Sequence, residues 1–419
     1  MEWETPRVAL VTFTDMREEG ISSEAVEQHL RDKQNELAAF LGANGVAAVD
    51  PLRELRTDSS PNYGVRSFSE IDLLMGILSK SHIDAAIIGS WMWSPPMLVK
   101  EFLRKLNRPS MYYAENDPMG GSLSQMSATC ARLMEWSVNR FALTHERNFG
   151  NRKDLLSWVR GVHAAAAMRE SAALLWGGTY AVRMEQLQDD IPKLKSFMIR
   201  DILMEDQYVL ISRAEKIIQT QKESIAAFYG WLTGNGLVMH RDKKMVTDQA
   251  LVSVGDDHIE FANCGAGSVF WAANSRKAKD VFPRVEAMAN IHGQSGAAFS
   301  YFGVEAPQIT VGRLTRINGR YYMQLGTGQE LDARKFLQKT LGDKGKSHLA
   351  GTRGKVIVNL GVKGENFVKV IGANHLSATL GDVTAEVEAT CRLWGVPVVR
   401  LDSDEEMKRF YHEVRETSP

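Results

Sequence analysis

From Arg7 onward the chain alternates short apolar runs with amphipathic helical stretches, and this alternation narrows the possible folds more than any other feature. "RVALVTFTD" is rich in strand formers; after Ser22-Ser23 a helical pattern sets Val26, Leu30, Leu37, Phe40 and Leu41 on one side until Gly42 and Gly45 stop it. The same two periods then repeat as strand "VAAVD", helix "FSEIDLLMGILSK", strand "DAAIIGSW", helix "MLVKEFLRKL" and strand "SMYYAE". Strands and helices of this size imply βαβ units around a parallel, doubly wound sheet over roughly the first 170 residues.

Sheets of this kind bind ligands beyond the carboxyl ends of their strands. There the chain carries Thr14, Asp15 and Arg17, then Trp91 and Trp93, then Glu115, Asn116 and Asp117. Neither GxGxxG nor GxxxxGK[ST] follows the first strand, so the backbone that cradles phosphate in dinucleotide and P-loop sites is missing. The pair Gly120-Gly121 before "SLSQMSATCARLMEW" reads as a turn more readily than as an anion seat.

The partner class follows from charge. With a formal net charge of -1, 24% charged residues and 44% hydrophobic ones, the chain has no electrostatic feature that would draw it to nucleic acid or to a membrane. A small molecule or another copy of the chain is expected instead. Cys130, Cys264 and Cys391 are odd in number, far apart and without a CxxC pair, which points away from a disulfide framework and a structural zinc site and toward a reducing compartment. The acidic start and the absence of an apolar run near ~18 residues lead to the expectation of a cytoplasmic protein.

Beyond residue 170 the text changes. From "LLWGGTYAVRMEQLQDDIPKLKSF" to about Asp248 it reads as mostly helical, whereas Leu251 to Leu331 is strand-rich, with a hairpin at Asn318-Gly319, a dipeptide suited to a type I′ turn. "KVIVNLG" and "NFVKVIGANH" read as strands, followed by helix "DVTAEVEATCRLWG", strand "VPVVRL" and a terminal helix. Three domains are expected: residues 1–175, Rossmann-like α/β; 176–254, a reduced and largely helical second α/β domain; and 255–419, β-rich with helices. His375 then closes a buried strand beside Gly372 and Asn374. A lone histidine in such a place is more often a satisfied structural residue than a ligand.

The residues around it carry more information. "GANHLSATLGDVTAEVEATCRLWGVPVV" resembles the carboxyl-terminal end of the L-fucose isomerase and L-arabinose isomerase superfamily, where an Asn-His precedes a helix and an "IPV"-like strand. "IEFANCGAGSV" is similar to the strand and glycine-rich turn that open that family's carboxyl-terminal domain, and "GAAFSYFGVEAPQITVGRLTRINGRYYMQLGTGQ" to its barrel strands. "VTFTDMREEG" resembles the family's first strand with its Asp-x-Arg turn, and "WGGTYAVRME" the start of its second domain.

The resemblance implies a β-barrel-like carboxyl-terminal domain and an aldose–ketose isomerase that uses Mn²⁺ or another divalent cation. Moving hydrogen between C1 and C2 needs a cation to polarise the carbonyl and stabilise an ene-diolate, and a carboxylate pair to shuttle the proton. By this resemblance His375 is the imidazole ligand and Asn374 its hydrogen-bonding neighbour. Arg17 and Trp91 or Trp93 are substrate contacts that serve a neighbouring subunit, so a homo-oligomer, a trimer or hexamer, is implied. The family's second domain supplies a glutamate and an aspartate to the metal, and here three registers compete. One sets "WLTGNGLVMHRD" against the family's "LTG" helix end and offers Asp242, with Glu215 or Glu223 for the glutamate. A second counts back from "ANCGAG" and offers Asp248, the preferred ligand and proton carrier of the two aspartates. A third, the best match, leaves the carboxylate segment out, and it supports an alternative: a non-catalytic sugar-binding homologue or a subunit with an incomplete metal site.

Overall fold

A computed structural model describes residues 5–15, 24–56, 62–116, 122–134, 145–176, 190–221, 223, 240–241, 244–254, 259–263, 286–291, 298–303, 308–331, 355–370 and 375–416. These fall into two compact units. The first comprises residues 1–172, 193–201 and 385–395, and the second residues 173–192, 202–384 and 396–419.

The first unit is built on β1 (Arg7–Thr12), α1 (Glu24–Ala43), β2 (Ala47–Val49), α2 (Leu52–Leu55), α3 (Phe68–Leu78), β3 (Ala85–Gly89), α4 (Pro96–Leu106), β4 (Ser110–Tyr113), α5 (Ser122–Met134), β5 (His145–Asn148) and α6 (Arg152–Glu170). Its five strands are all parallel in the order β2-β1-β3-β4-β5, which is the doubly wound order with its switch point between β1 and β3. Right-handed crossovers put α1 on one face and α3, α4 and α5 on the other. α6 returns to the α1 face, where Arg152 pairs with Glu36 and stacks 5.1 Å over the Phe40 ring. The central strands are apolar throughout because both faces are covered, and Val8 to Val11 and Ala85 to Ile88 are buried. Local signals agree with the ends of the helices. Ser67 caps α3 by accepting from the Glu70 N–H (3.3 Å), and Asn107 takes a left-handed φ of 52° to end α4. The sequence pattern identified β1 to β4, α1 and α3 to α5 in this unit but passed over α2, β5 and α6.

β6 (Ala172–Trp176) and β7 (Asp201–Glu205) form a two-stranded sheet, with α7 (Ile191–Phe197), most of which belongs to the first unit, between them in the chain and α8 (Gln207–Thr220) after. The second unit continues with β8 (His240–Arg241), β9 (Lys244–Val254), β10 (Ile259–Asn263), β11 (Glu286–Ile291), β12 (Ala298–Gly303), β13 (Ile309–Ile317), β14 (Arg320–Leu331), β15 (Lys355–Asn359), α9 (Gly364–Val370) and β16 (His375–Leu380). After α10 (Thr384–Trp394) come β17 (Val398–Arg400) and α11 (Asp404–Glu416). The stretch read as mostly helical up to Asp248 therefore also carries β6, β7, β8 and half of β9. Six strands pair antiparallel in the order β9-β10-β15-β14-β13-β16, and β16 pairs with β9 again, so the ladder returns to its first strand. β11 and β12 form a separate pair. At the β13–β14 turn both Asn318 (φ 48°) and Gly319 (φ 75°) have the positive φ that a type I′ turn requires.

"NFVKV", expected as a strand, is helical. Phe367 and Val370, three apart, are both buried in the core with Val311, Val358, Met407 and Phe410, and Asp404 holds the first turn through the Lys363 N–H (3.2 Å) and the Asn366 amide (2.5 Å). The alternation of this stretch suits either period, and the helix α11 beside it decides between them. In consequence His375 opens a strand, where the sequence had it closing one.

α10 belongs to the first unit although its neighbours in sequence belong to the second. Ala389 and Leu393 join the first unit's core, Thr390 Oγ1 donates to the Gly161 carbonyl (2.9 Å), and Arg392 pairs with Glu146 (2.9 Å). A Cβ at Gly161 would lie 2.5 Å from the Glu386 carbonyl oxygen and 2.6 Å from Ala389 Cβ, so this helix crossing requires glycine. Gly161→Val is expected to lower the unfolding free energy by about 1–3 kcal/mol. Gly42→Ala, where a Cβ meets nothing within 4 Å, should leave stability unchanged or raise it by about 0.5–1 kcal/mol. Urea denaturation followed by circular dichroism measures both.

Candidate functional site

At the carboxyl edge of the parallel sheet, β1 runs on into Thr14 and Asp15, both buried. The segment around Tyr63–Arg66 lies alongside, with Thr14 N–H donating to Val65 O (2.9 Å) and Val65 N–H to Thr12 O (3.0 Å). Glu27 of α1, 3% exposed, holds the two together. It accepts from the backbone N–H groups of Tyr63 (2.8 Å) and Gly64 (2.9 Å), from the Arg66 guanidinium (2.7 Å) and from Thr14 Oγ1 (3.1 Å). Four donors satisfy a carboxylate that burial alone would penalise.

A second carboxylate, Glu115, sits just past β4. Lys33 (2.9 Å), Arg152 (3.1 Å) and the Tyr113 hydroxyl (3.0 Å) all donate to it. Burial pushes the Glu115 carboxyl up, but these three hydrogen bonds and the Lys33 charge outweigh it and hold the group below the ordinary glutamate range. The two tryptophans part company here. Trp91 is 1% exposed, donates its indole N–H to Gln34 Oε1 (3.0 Å), and meets Tyr113 edge-on at 5.8 Å. Trp93 is 38% exposed. Met97 and Leu123, each the second residue of its helix, and Phe149, just past β5, are exposed at the same edge.

Sequence reasoning named Glu115, Trp91 and Trp93 but missed Glu27, Lys33, Arg66, Tyr113 and Arg152. One signal was available. The buried stripe of α1 reads Glu27, Leu30, Gln34, Leu37, Leu41, with two polar residues in an otherwise apolar face.

In the second unit, β16 and β9 pair with His375 opposite Ala250 and Ser377 opposite Asp248. Directly opposed residues share a face and so do residues two apart, so positions 375 and 248 lie on one face as diagonal neighbours, typically about 7–8 Å apart. Val311 pairs with Ala378, which puts this face opposite the one packed on α9 and α11. The register thus sets beside each other two positions, 375 and 248, that stand 127 apart in the chain by the difference 375 − 248. Arg17, Asp242 and Asn374 lie outside the described residues. Among the described residues no group of three or more His, Cys, Asp or Glu gathers to hold a metal ion, and no helix is long and apolar enough to cross a membrane.

Residues 261–402 match the family model of the L-fucose isomerase C-terminal domain. This segment is similar to an L-fucose isomerase C-terminal domain. It begins within β10, ends just after β17 and includes His375, while Asp248 lies ahead of it. No curated protein sequence matches the chain. Among solved structures, the translation elongation factor SelB from Methanococcus maripaludis in complex with the GTP analogue GppNHp is 10% identical over 90% of this chain, which spans 55% of that chain's length; the TM-score is 0.19. A superposition that poor supports no inference about fold or function.

Because the Glu115 pKa is depressed on folding, its stabilisation is complete above the ordinary glutamate pKa and is lost as pH falls through the lower folded value. Glu115→Gln should therefore cost about 1 kcal/mol at pH 7, discounted for partial exposure. The stabilities of variant and wild type should converge as pH drops below about 4. Thermal melts across that range test the convergence.

Proposed function

We propose that the chain is an aldose–ketose isomerase of the L-fucose/L-arabinose isomerase type, which moves hydrogen between C1 and C2 of an open-chain sugar through an ene-diolate. One observation carries this reading. The segment similar to the L-fucose isomerase C-terminal domain contributes His375, and the strand register sets Asp248 one diagonal step away on the same face. A neutral imidazole with a carboxylate is a nitrogen-and-oxygen donor pair suited to Mn²⁺ or a similar divalent cation, and it leaves coordination positions for sugar oxygens. A bound cation of that kind would polarise the sugar carbonyl and stabilise negative charge on its oxygens.

The chain's own residues then divide the work. His375 and Asp248 would hold the cation. Asp248, or Asp242, carries the proton between C1 and C2, which requires a carboxylate that reaches both carbons. Asn374 hydrogen-bonds beside the imidazole. Arg17 and a tryptophan of the first domain contact the sugar, and Trp93, with its exposed indole, is better placed for this than Trp91. In this reading the first domain serves a neighbouring copy, so the protein works as a homo-oligomer, a trimer or hexamer. Residues 176–254 are the remnant of a larger second domain, the closed six-strand ladder is a barrel, and the protein acts in the cytoplasm.

Metal analysis of the purified protein, followed by assays on five- and six-carbon aldoses, tests the proposal. Mn²⁺ should restore turnover to chelator-treated protein. His375→Ala and Asp248→Asn should each weaken Mn²⁺ binding at least about tenfold and slow turnover by about 10²–10⁴-fold, with thermal stability in metal-free buffer close to wild type. If both variants turn over normally, these two residues are not the ligands. A wild type that binds sugar without metal and without turnover would establish the non-catalytic alternative.

A further inference from the structure

The amino edge of the parallel sheet, the side away from its carboxyl ends, holds a cleft of about 570 Å³ that the proposed isomerase chemistry does not use. That volume lies within the range of small-molecule sites, roughly 300–1,000 Å³. Its walls are the last turns of α3 and α4 and the turn leading into β3. Met75, Leu78, Ile83 and Leu106 line it with apolar surface, and Leu78 and Ile83 are buried.

The polar part of the lining consists of hydrogen-bond donors with a single acid. Lys105, Arg108, His82, Ser79 and Ser81 share the lining with one acidic residue, Asp72, which pairs with Lys105; Lys105 also pairs with Glu101 (3.4 Å) outside the lining, and the Ser79 hydroxyl donates to the Gly76 carbonyl (2.9 Å). His82 is held from behind, its Nε2 lying 3.0 Å from Asp84 Oδ1. The position of Lys105 has a local explanation, because a cation in the last turn of α4 complements the helix dipole. Arg108 lies beyond that turn. The left-handed Asn107 reverses the chain, and Arg108 Nε donates to the Ile83 carbonyl (3.0 Å) while Nη1 reaches the Asn107 carbonyl (3.4 Å). Among the described residues Arg108 has no carboxylate partner, and the donors on its Nη2 are uncommitted.

We propose that this cleft is a binding site for a small organic anion, a carboxylate or phosphate monoester joined to an apolar body. The guanidinium of Arg108, fixed by Ile83, takes the anionic head through its free edge. Lys105 adds charge, and the apolar part lies on Leu78, Ile83 and Leu106. Neither half of such a ligand suffices alone, because the guanidinium is solvated without the apolar contact and the apolar floor has no directional partner without the anion.

The test uses the full chain and the anionic apolar dye 8-anilinonaphthalene-1-sulfonate. Saturable binding is expected. It should weaken at least fivefold in Arg108→Gln and Lys105→Gln, disappear in Ser81→Trp, which fills the cleft, and stay unchanged in Trp93→Ala at the other edge of the sheet. Competition by octanoate identifies a carboxylate ligand and competition by phenyl phosphate a phosphate ester. Failure of both to compete overturns the proposal, as does dye binding that survives all three cleft variants or is lost with Trp93→Ala instead. Circular dichroism melts show which variants are folded; if Arg108→Gln loses its fold with the Ile83 bond, Lys105→Gln and Ser81→Trp decide the matter.

Discussion

β9 is paired along both of its edges, with β10 through Gln249 to Val254 and with β16 through Val246 to Ala250. An unpaired strand edge leaves a row of backbone donors and acceptors to be satisfied elsewhere, and this double pairing is what returns the ladder to its first strand. Side chains alternate with a period of two, so the pairing also determines which residues share a face. A slip of one residue between β9 and β16 would move Asp248 to the face opposite His375. The irregularity in β9 falls after Leu251, where the pairing with β10 steps from Phe261 to Glu260, beyond the stretch that faces β16. The proposed metal pair thus rests on backbone register before it rests on any side chain.

In the first unit a different constraint operates. Two carboxylates, Glu27 and Glu115, stand at the carboxyl edge where a doubly wound sheet presents its loops, and both are engaged by donors from the same unit. Their charges join α1 to the segment after β1 and, through Arg152, to α6. They therefore work as internal ties. Among the described residues the groups at this edge that remain open to a ligand are mainly apolar, with Trp93 and Phe149 as exposed aromatic surfaces. Aromatic faces of this kind suit the C–H face of a sugar ring better than they suit a phosphate, in keeping with the absence of a phosphate-binding glycine motif after β1.

The part of the site that could be read in advance consisted of residues at predictable ends of strands. Thr14, Asp15, Trp91, Trp93 and Glu115 were placed at the sheet edge because strand and helix periods locate loops. Whether each faces ligand or core was not readable, since Trp91 and Trp93 are two residues apart in one loop and differ only in what lies above them: Gln34 and Tyr113 cover one, and the other is open. Tyr113 is a near neighbour of Glu115 in the chain, but Lys33 and Arg152 reach it from α1 and α6, both distant in sequence, so no local pattern could assemble the group.

Sequence alone determined the parallel sheet of the first unit, because strictly alternating apolar runs and amphipathic helices have few ways to bury both faces of a strand. It also determined the Asn318-Gly319 hairpin, because few residues accept positive φ twice in succession, and it placed His375 in a segment with L-fucose isomerase character. Tertiary structure decided the rest. It made "NFVKV" a helix, since Phe367 and Val370 gain burial against α11 only at helical spacing. It put α10 in the first unit, where Gly161 admits a close helix crossing. It brought position 248 beside 375, because strand pairing is set by hydrogen bonds and buried faces contributed by partners far along the chain, and a local window contains none of those partners.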